Sequence, residues 1–288
     1  MFSGIGGFEI PMQELNWECV GFSEIDKYAT QIYKKHFPTH SNFGDATRII
    51  PEQLPDFDLL CGGFPCQAFS IAGKRGGFED TRGTLFFEIA KITRVKRPRY
   101  LFLENVKGLL SHDEGNTFAT IISAIDEMGY DCQWQVLNSN NINTPQVRER
   151  VFIIGHLRGT PRPKVFPIHT RTGTTNEKQI SERFRTNIKP IFKVSDPEST
   201  RRDIANRHSI RDLTPIEYER AQGFPDNWTK YGFVECLKNK VIDIPWLDCE
   251  DCCYTHCKTQ DISDTQRYKC LGNAVTVNVI REIVCKII

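Results

Sequence analysis

The feature that most constrains the fold is an alternation between short apolar runs and amphipathic segments from Met1 to about Ile154. This alternation predicts an α/β fold made of βαβ units on a mostly parallel sheet. The predicted strands are residues 19–22, 57–61, 100–103, 132–137 and 151–154. The predicted helices are residues 26–37, 85–95 and 117–128, each with apolar side chains at three- and four-residue spacing.

A boundary is predicted after Gly155, where this periodicity ends. Pro161, Pro163 and a stretch rich in Thr, Asn, Lys and Arg indicate loops and short irregular pieces. Helical order returns at Thr214, where Thr-Pro-Ile-Glu supplies an N-cap, a proline at the first helical position and a glutamate three residues after the cap. We therefore divide the chain into residues 1–157, 158–262 and 263–288.

Composition limits the expected cellular location of the protein. Its 288 residues contain no run of about 18 apolar residues, and the start lacks the pattern of a secretory signal. We expect a cytoplasmic, nucleoid-associated protein without a membrane partner. The eleven cysteines are an odd number, and several lie in apolar runs, so we expect reduced thiols.

The net charge is only +1, but the charged residues are unevenly distributed along the chain. Residues 151–210 contain twelve Lys and Arg against five Asp and Glu, whereas residues 230–264 contain four Lys against seven acids. A basic stretch of this kind suits either a nucleic-acid contact or a solvated face. Charge alone does not decide between the two.

A glycine-rich turn, Phe2-Ser3-Gly4-Ile5-Gly6-Gly7-Phe8, precedes the first helical segment. Glycines let a backbone approach a ligand closely, and a helix N-terminus favours negative charge. Glu24, at the end of the next predicted strand, can accept hydrogen bonds from a ribose, as acidic residues do in dinucleotide-binding folds. Asp45, after the following helix, can meet an adenine amino group.

A single thiol stands out in the run Gly62-Gly63-Phe64-Pro65-Cys66-Gln67. The run follows a predicted strand, and open α/β sheets carry their sites at the carboxyl ends of strands. Structural cysteines usually lie within the apolar pattern of a helix or strand. Cys66 instead lies between Pro65 and Gln67 in a glycine-rich loop. Cys66 is therefore predicted to be a nucleophile.

Two further segments supply partners for this thiol. Glu104 ends the apolar run 100–103, which places its carboxylate at the carboxyl edge of the predicted sheet. Extended alternation in the run 146–150 points Gln146, Arg148 and Arg150 to one side, immediately before a buried strand. The alternatives without a function are that Glu104 is a solvated residue at a strand end and that the run 146–150 is a charged surface segment.

These motifs, in this order, resemble the cytosine-5 DNA methyltransferase family of bacterial and phage modification enzymes. The resemblance covers residues 2–157, 211–228 and 264–285, and includes Gly272-Asn273-Ala274-Val275. It implies a Rossmann-like S-adenosylmethionine-dependent methyltransferase sheet in residues 1–157 and a smaller, irregular target-recognition region in residues 158–262. That region would include the motif segment 211–228 and a Cys-rich insertion at 229–262. Residues 263–288 would return to the catalytic domain.

The resemblance also implies the reaction, which is methylation of carbon 5 of cytosine in a specific double-stranded DNA sequence. Cys66 would attack carbon 6 of a flipped base while Glu104 meets nitrogen 3. Arg150 would hold the exocyclic oxygen, Arg148 would orient the carboxylate or a phosphate, and Gln146 would fix the loop. No metal is expected.

The implied cofactor is S-adenosyl-L-methionine, and the implied partner is double-stranded DNA. The chain is expected to act as a monomer, and a cognate restriction endonuclease is a further candidate partner. The residues implicated in cofactor contact are Phe2, Gly4, Ile5, Gly7, Glu24, Ile25, Asp45, Pro65, Leu85, Asn273 and Ala274.

The chain departs from the family pattern in two places. Its first strand is cut short at Met1, from which we expect weak cofactor binding. The insertion contains Cys249, Cys252, Cys253 and Cys257, but zinc sites usually draw on two separated pairs, so a metal-free loop is favoured over zinc. Two other functions stay open: RNA (tRNA) cytosine-5 methylation on the same fold, and a non-catalytic nucleic-acid-binding relative.

Overall fold

The computed structural model describes residues 1–65, 85–168, 213–236 and 257–287. Cys66, the basic residues from 169 to 210 and Cys249, Cys252 and Cys253 lie outside these ranges. None of the helices in the described ranges is long and apolar enough to cross a membrane.

The described helices fall at both ends of the chain and between the strands. Their bounds are α1 Glu9–Glu14, α2 Lys27–His36, α3 Leu85–Lys96, α4 Asn116–Glu127, α5 Pro215–Gln222, α6 Asp264–Asn273 and α7 Val277–Val284. Short 3-10 turns occupy Ala46–Arg48, Pro51–Gln53, Lys107–Leu110, His112–Gly115 and Ser139–Asn141. The three helices predicted before residue 130 are confirmed within two residues at each end.

Local sequence explains where two of these helices begin. The Asp26 side chain caps α2 by accepting from the N–H groups of Tyr28 and Ala29. Thr214 and Glu217 form the predicted capping box of α5: the Thr214 hydroxyl accepts from the Glu217 N–H, and the Glu217 carboxylate accepts from the Thr214 N–H.

Four strands form a mixed sheet in the order β1-β2-β4-β3. The strands are β1 Leu59–Gly63, β2 Tyr100–Val106, β3 Tyr130–Asn138 and β4 Glu149–Leu157. β1 and β2 are parallel, whereas β4 is antiparallel to both β2 and β3. The expectation of a mostly parallel sheet is therefore wrong for this part of the chain. Only ten residues separate β3 from β4, too few for the helical crossover that parallel neighbours require.

The predicted strand at residues 19–22 is also wrong as a strand. Only Phe22 pairs, in an isolated parallel bridge with Asn42. The N-terminal residues lie beside it: the Met1 ammonium donates to the Cys61 carbonyl at 2.6 Å, and the Ser3 N–H donates to the Ser23 carbonyl at 3.1 Å. Residues 1–3 therefore lie between the middle of β1 and the Phe22 segment.

Buried apolar side chains cover both faces of the sheet. On one face, Ile89 of α3 and Ile121 of α4 pack against Leu101 and Ile153. On the other face, Phe8, Ile280 and Ile283 pack against Phe102 and Ile154. The final helix α7 lies against α1, where Arg281 pairs with Glu14 at 2.7 Å.

The insertion 229–262 contains an antiparallel pair that the sequence analysis did not predict. Strands β5 Tyr231–Cys236 and β6 Cys257–Asp261 pair from Tyr231 with Asp261 to Cys236 with Cys257, with a register shift between Phe233 and Glu235. A Cβ added at Gly232 would lie 2.8 Å from Cβ of Gln31, so β5 packs directly on α2. This strand pair holds both ends of the insertion against α2.

Candidate active site

A buried ion pair lies where β2 approaches its carboxyl end. The Glu104 side chain belongs to a residue only 8% exposed, and Nε of Arg150 lies 3.0 Å from its Oε1. Burial raises the pKa of Glu104, and the positive charges of Arg150 and Arg148 oppose that rise. The carboxyl group is therefore held in one orientation and retains its proton closer to neutral pH than an exposed glutamate does.

Gly63, at the end of β1, is the register partner of Glu104 across the parallel pair. A Cβ built on Gly63 would lie 3.1 Å from Oε2 of Glu104, closer than most real side-chain contacts. The glycine therefore leaves room for the carboxylate. Sequence reasoning missed this role, because it depends on the register between β1 and β2.

Asn105 ties the start of the cysteine loop to the end of β2. Its Nδ2 donates to the carbonyl of Phe64 at 2.8 Å, and its Oδ1 accepts from the N–H of Val106 at 2.8 Å. The residue is only 2% exposed. Pro65 is exposed and is the last described residue before Cys66, so the approach to the predicted nucleophile is anchored beside Glu104.

Arg148 lies next to this pair, and its contacts point to the C-terminal part of the chain. Nη1 donates to the carbonyl of Gly272 at 3.0 Å and Nη2 to the carbonyl of Ala274 at 2.8 Å. Within the described ranges, Nε of Arg148 and Oε1 of Gln146 are buried without a hydrogen-bond partner. The backbone carbonyl of Gln146 accepts from the Ser139 hydroxyl, which holds the turn before β4.

The glycine-rich turn and Glu24 form a second group. The Gly4 N–H donates to Oε2 of Glu24 at 2.9 Å, while the N–H groups of Ile25 and Asp26 donate to Oε1 at 2.9 and 2.8 Å. Gly4 has a φ of +56° and Gly6 a φ of +88°, a region that favours glycine. A Cβ added at Gly4 would meet nothing within 4 Å, so open space lies over the turn.

Asn42 organises the other side of this group and was not predicted. Its Oδ1 accepts from the N–H groups of Glu24 and Gly44 at 3.2 and 2.9 Å, and its Nδ2 donates to the Glu24 carbonyl at 3.0 Å. Asp45 follows directly, and its Oδ1 accepts from the backbone and hydroxyl of Thr47, which lowers the pKa of Asp45. No sequence signal marked Asn42, because its role depends on the two loops meeting.

The remaining predicted cofactor residues differ in what they expose. The Ile25 side chain is 75% exposed beside Glu24, whereas Ile5 is buried in the core. Gly7 packs against Val275, placing the glycine-rich turn next to Asn273 and Ala274. Phe2 is half-buried with a φ of +54°, and Leu85 is the half-buried first residue of α3.

The motif segment 211–228 also reaches this turn. Nε1 of Trp228 donates to the carbonyl of Ile5 at 2.9 Å, and the Gln222 side chain donates to the carbonyl of Leu271 at 2.6 Å. Three distant segments therefore meet around the glycine-rich turn. The described ranges contain no group of three or more His, Cys, Asp or Glu side chains that could hold a metal ion; Cys249, Cys252 and Cys253 lie outside them.

Comparisons with known proteins agree with this arrangement. A family model for C-5 cytosine-specific DNA methylases matches residues 1–204. The type II methyltransferase M.NgoBI of Neisseria gonorrhoeae is 47% identical over 284 residues, covering 86% of this chain and 89% of that protein. The type II methyltransferase M.HpaII of Haemophilus parainfluenzae is 34% identical over 342 residues, covering 98% and 86%.

Among solved structures, the S. pombe Dnmt2 methyltransferase superposes with a TM-score of 0.62 at 19% identity, covering 98% of this chain and 95% of that one. This similarity concerns the fold alone. The sequence relatives and the family match carry the assignment, and the family implies S-adenosylmethionine as methyl donor and DNA as substrate. The chain belongs to the C-5 cytosine-specific DNA methylase family and is a DNA (cytosine-5) methyltransferase.

Proposed function

We propose that this chain methylates carbon 5 of cytosine in a specific double-stranded DNA sequence, with Cys66 adding covalently to a base flipped out of the duplex. The observation that supports this mechanism is the buried Glu104–Arg150 pair, 3.0 Å apart, beside the backbone that leads into the cysteine loop. Asn105 holds that backbone at Phe64, two residues before Cys66. Cys66 itself lies outside the described residues.

The proposed reaction begins at carbon 6, because carbon 5 of cytosine is a weak nucleophile. The Cys66 thiolate attacks carbon 6, the π electrons of the carbon 5–carbon 6 bond move between carbons 4 and 5, and those of the carbon 4–nitrogen 3 bond move onto nitrogen 3, which takes the proton of Glu104 to give an enamine. Electron density then rests on carbon 5. After methylation a base removes the carbon-5 proton, the sulfur–carbon bond breaks, and nitrogen 3 returns its proton to Glu104.

The environment of Glu104 suits this proton transfer. Burial raises the pKa of Glu104, so a larger fraction of this group carries a proton to transfer near neutral pH than in an exposed glutamate. Arg150 uses Nε on Glu104 and Nη1 on the carbonyl of Glu149. We propose that its remaining Nη2 donates to the exocyclic oxygen of the flipped cytosine, which fixes the ring against the carboxyl group.

The glycine-rich turn and its neighbours fit S-adenosylmethionine. The open space over Gly4 accepts a ligand, Glu24 is pre-oriented by three backbone donors to receive ribose hydroxyls, and the exposed Ile25 side chain offers an apolar surface for the adenine. We propose that Asp45 accepts from the adenine amino group. When bound, the cofactor supplies an electrophilic methyl group for carbon 5.

The remaining proposed contacts complete that pocket. Phe2, Ile5 and Gly7 contribute from the glycine-rich turn, Pro65 and Leu85 from either side of the cysteine loop, and Asn273 and Ala274 from the end of α6. Together with the mixed α/β sheet, these segments make a Rossmann-like methyltransferase domain in residues 1–157, to which residues 263–288 return.

Residues 158–262 form the proposed target-recognition region. Its first segment is held on β3 by two glutamines: Oε1 of Gln133 accepts from the Val165 N–H at 3.1 Å, and Oε1 of Gln135 accepts from the Ile168 N–H at 2.8 Å. The chain then enters the basic stretch, whose surplus of positive charge suits phosphate contacts that offset the cost of base flipping.

The biological setting we propose is DNA modification by a monomer whose target sequence is shared with a cognate restriction endonuclease. Two relatives described above are named type II methyltransferases, which supports this setting. Sequencing for 5-methylcytosine in a host that expresses the chain should find one short motif modified throughout the genome.

Labelled methyl transfer tests the proposed reaction. Purified protein with labelled S-adenosylmethionine should transfer label to duplex DNA containing the target sequence and not to tRNA. Transfer to tRNA in preference to DNA would identify an RNA enzyme instead. Absence of transfer to both, with cofactor bound, would identify a non-catalytic relative.

A further inference from the structure

Arg148 closes the C-terminal end of α6. The last carbonyls of a helix have no partner within the helix and carry the negative end of its dipole. Here the two terminal nitrogens of Arg148 bind the carbonyls of Gly272 and Ala274, at 3.0 and 2.8 Å. The guanidinium thereby supplies both hydrogen bonds and a positive charge at this helix end.

The position of Arg148 is itself fixed. Its N–H donates to Oδ1 of Asn138 at 3.2 Å, and its carbonyl accepts from the Ser139 N–H at 3.1 Å. Burial, followed by the charge of Arg150, lowers the pKa of Arg148 to about 10, so the side chain keeps its charge at neutral pH. A largely buried cation that has two carbonyl partners in a rigid fork defines a fixed distance between β4 and α6.

The chain beyond this contact packs on the glycine-rich turn. Val275 follows Ala274, and a Cβ built on Gly7 would lie 2.6 Å from Cγ2 of Val275 and 3.3 Å from its carbonyl oxygen. The same turn contributes the Gly4 N–H, which holds Glu24 at 2.9 Å. Arg148 therefore reaches the cofactor group through a single layer of packing.

In the other direction, Arg148 is two residues from Arg150, the partner of Glu104. Nε of Arg150 lies 3.0 Å from Oε1 of Glu104, and the positive charges of both arginines oppose the rise in the pKa of Glu104 that burial causes. Within residues 148–150, Arg150 therefore contacts Glu104 in the proposed base pocket, and Arg148 contacts the backbone carbonyls of Gly272 and Ala274 on the side of the proposed cofactor site.

We propose that Arg148 is a positioning residue that couples cofactor binding to the base pocket, an inference that rests on the function proposed above. From its position immediately before β4, the strand that carries Arg150, it holds residues 272–275 against the glycine-rich turn. Ordering of either pocket orders the other, so each ligand tightens the binding of its partner. Because such coupling is reciprocal, target DNA should tighten cofactor binding by the same factor as cofactor tightens DNA binding.

The test is calorimetric titration of S-adenosylhomocysteine, which occupies the site without reacting, in the presence and absence of target duplex. Wild-type protein should bind it more tightly with DNA. In Arg148→Met the affinity without DNA should fall about tenfold, equivalent to about 1.4 kcal/mol, and the enhancement by DNA should approach one. Arg148→Lys keeps the charge but loses the fork geometry, so it should restore part of both effects.

Arg150→Met is the matched control, since it removes the same charge only two residues away along the chain. It should lower the rate of methyl transfer while S-adenosylhomocysteine binds as in the wild type without DNA. In Arg148→Met, by contrast, the KM for S-adenosylmethionine should rise by a larger factor than kcat falls. If Arg148→Met bound S-adenosylhomocysteine normally, with normal enhancement, and bound DNA weakly with a flatter salt dependence, Arg148 would contact a phosphate and the inference would fail.

A second variant covers the case in which Arg148→Met does not fold. Val275→Ala leaves both carbonyl bonds of Arg148 in place and loosens only the packing against Gly7, so it should also reduce the enhancement by DNA. Undiminished enhancement in that variant would overturn the proposal. These titrations do not depend on Cys66. Covalent capture of DNA tests the reaction of Cys66 separately. Failure of the coupling can therefore be distinguished from failure of the proposed reaction.

Discussion

Replacing Asn105 with Ala should separate the anchoring of the cysteine loop from the stability of the fold. The change leaves the buried carbonyl of Phe64 without its donor, 2.8 Å away in the native protein, and removes the acceptor of the Val106 N–H. An orphaned buried group costs about 1–3 kcal/mol, and the second bond adds about 0.5–1.5 kcal/mol. We therefore expect a loss of about 2–4 kcal/mol, which corresponds to a fall in Tm of about 5–15 °C.

The same substitution should disturb the position of the cysteine loop more than it disturbs the rest of the fold. Misplacement of a reacting group by about 1 Å can cost about 100-fold in rate, so kcat for methyl transfer should fall by about that factor at a temperature where the variant is folded. Tyr130→Phe is the matched control, because it removes one buried bond to a backbone carbonyl, that of Pro98 at 2.7 Å, far from the site. It should lose comparable stability and keep its kcat. Equal rates for Asn105→Ala and Tyr130→Phe would refute the anchoring role.

Three further predictions concern proton transfer, DNA binding and pH. Glu104→Gln should lower methyl transfer by roughly 100- to 10,000-fold with little change in DNA affinity; a fast variant would exclude proton donation by Glu104. Replacing Arg183, Arg185 and Lys189 with Ala should flatten the log–log salt dependence of DNA binding by about one unit for each phosphate that the protein no longer neutralises, and an unchanged slope would mean solvated charges. Burial lowers the pKa of His156, so stability is lost as pH falls through about 6.5 toward that lower value. His156→Phe, which keeps a ring against Tyr100, should reduce the drop in Tm between about pH 7.5 and about pH 5.5; an equal drop would contradict this assignment.

Helices were the most predictable part of the fold, because their signals are local. The Asp26 cap and the Thr214 capping box lie within a few residues of the turns they start. Strand direction was harder, although the short connection between β3 and β4 carried the information needed to predict their antiparallel pairing. The β5–β6 pair was missed because its strands lie far apart along the chain and pack on α2 through Gly232, an arrangement that exists only in the folded protein.

The candidate site shows the same division. Motif order identified Glu104 and Arg150 individually, but their 3.0 Å separation follows from the antiparallel register of β2 and β4. Gly63 and Asn42 carried no signal of their own, since each acts on a segment distant in the chain. Arg148 was expected to act on a carboxylate or phosphate, and its terminal nitrogens instead bind carbonyls more than a hundred residues away.

Covalent capture of DNA tests the central claim most directly. Duplex DNA with 5-fluorocytosine at the target position cannot lose its carbon-5 substituent as a proton, so the sulfur–carbon bond should persist when S-adenosylmethionine is present. The adduct should be visible by denaturing electrophoresis for the wild type and for Cys61→Ala, which removes a half-buried thiol in β1 whose pKa is raised by desolvation. Cys66→Ala should bind the DNA and form no adduct. An adduct with Cys66→Ala, or its disappearance only in Cys61→Ala, would contradict the proposed mechanism.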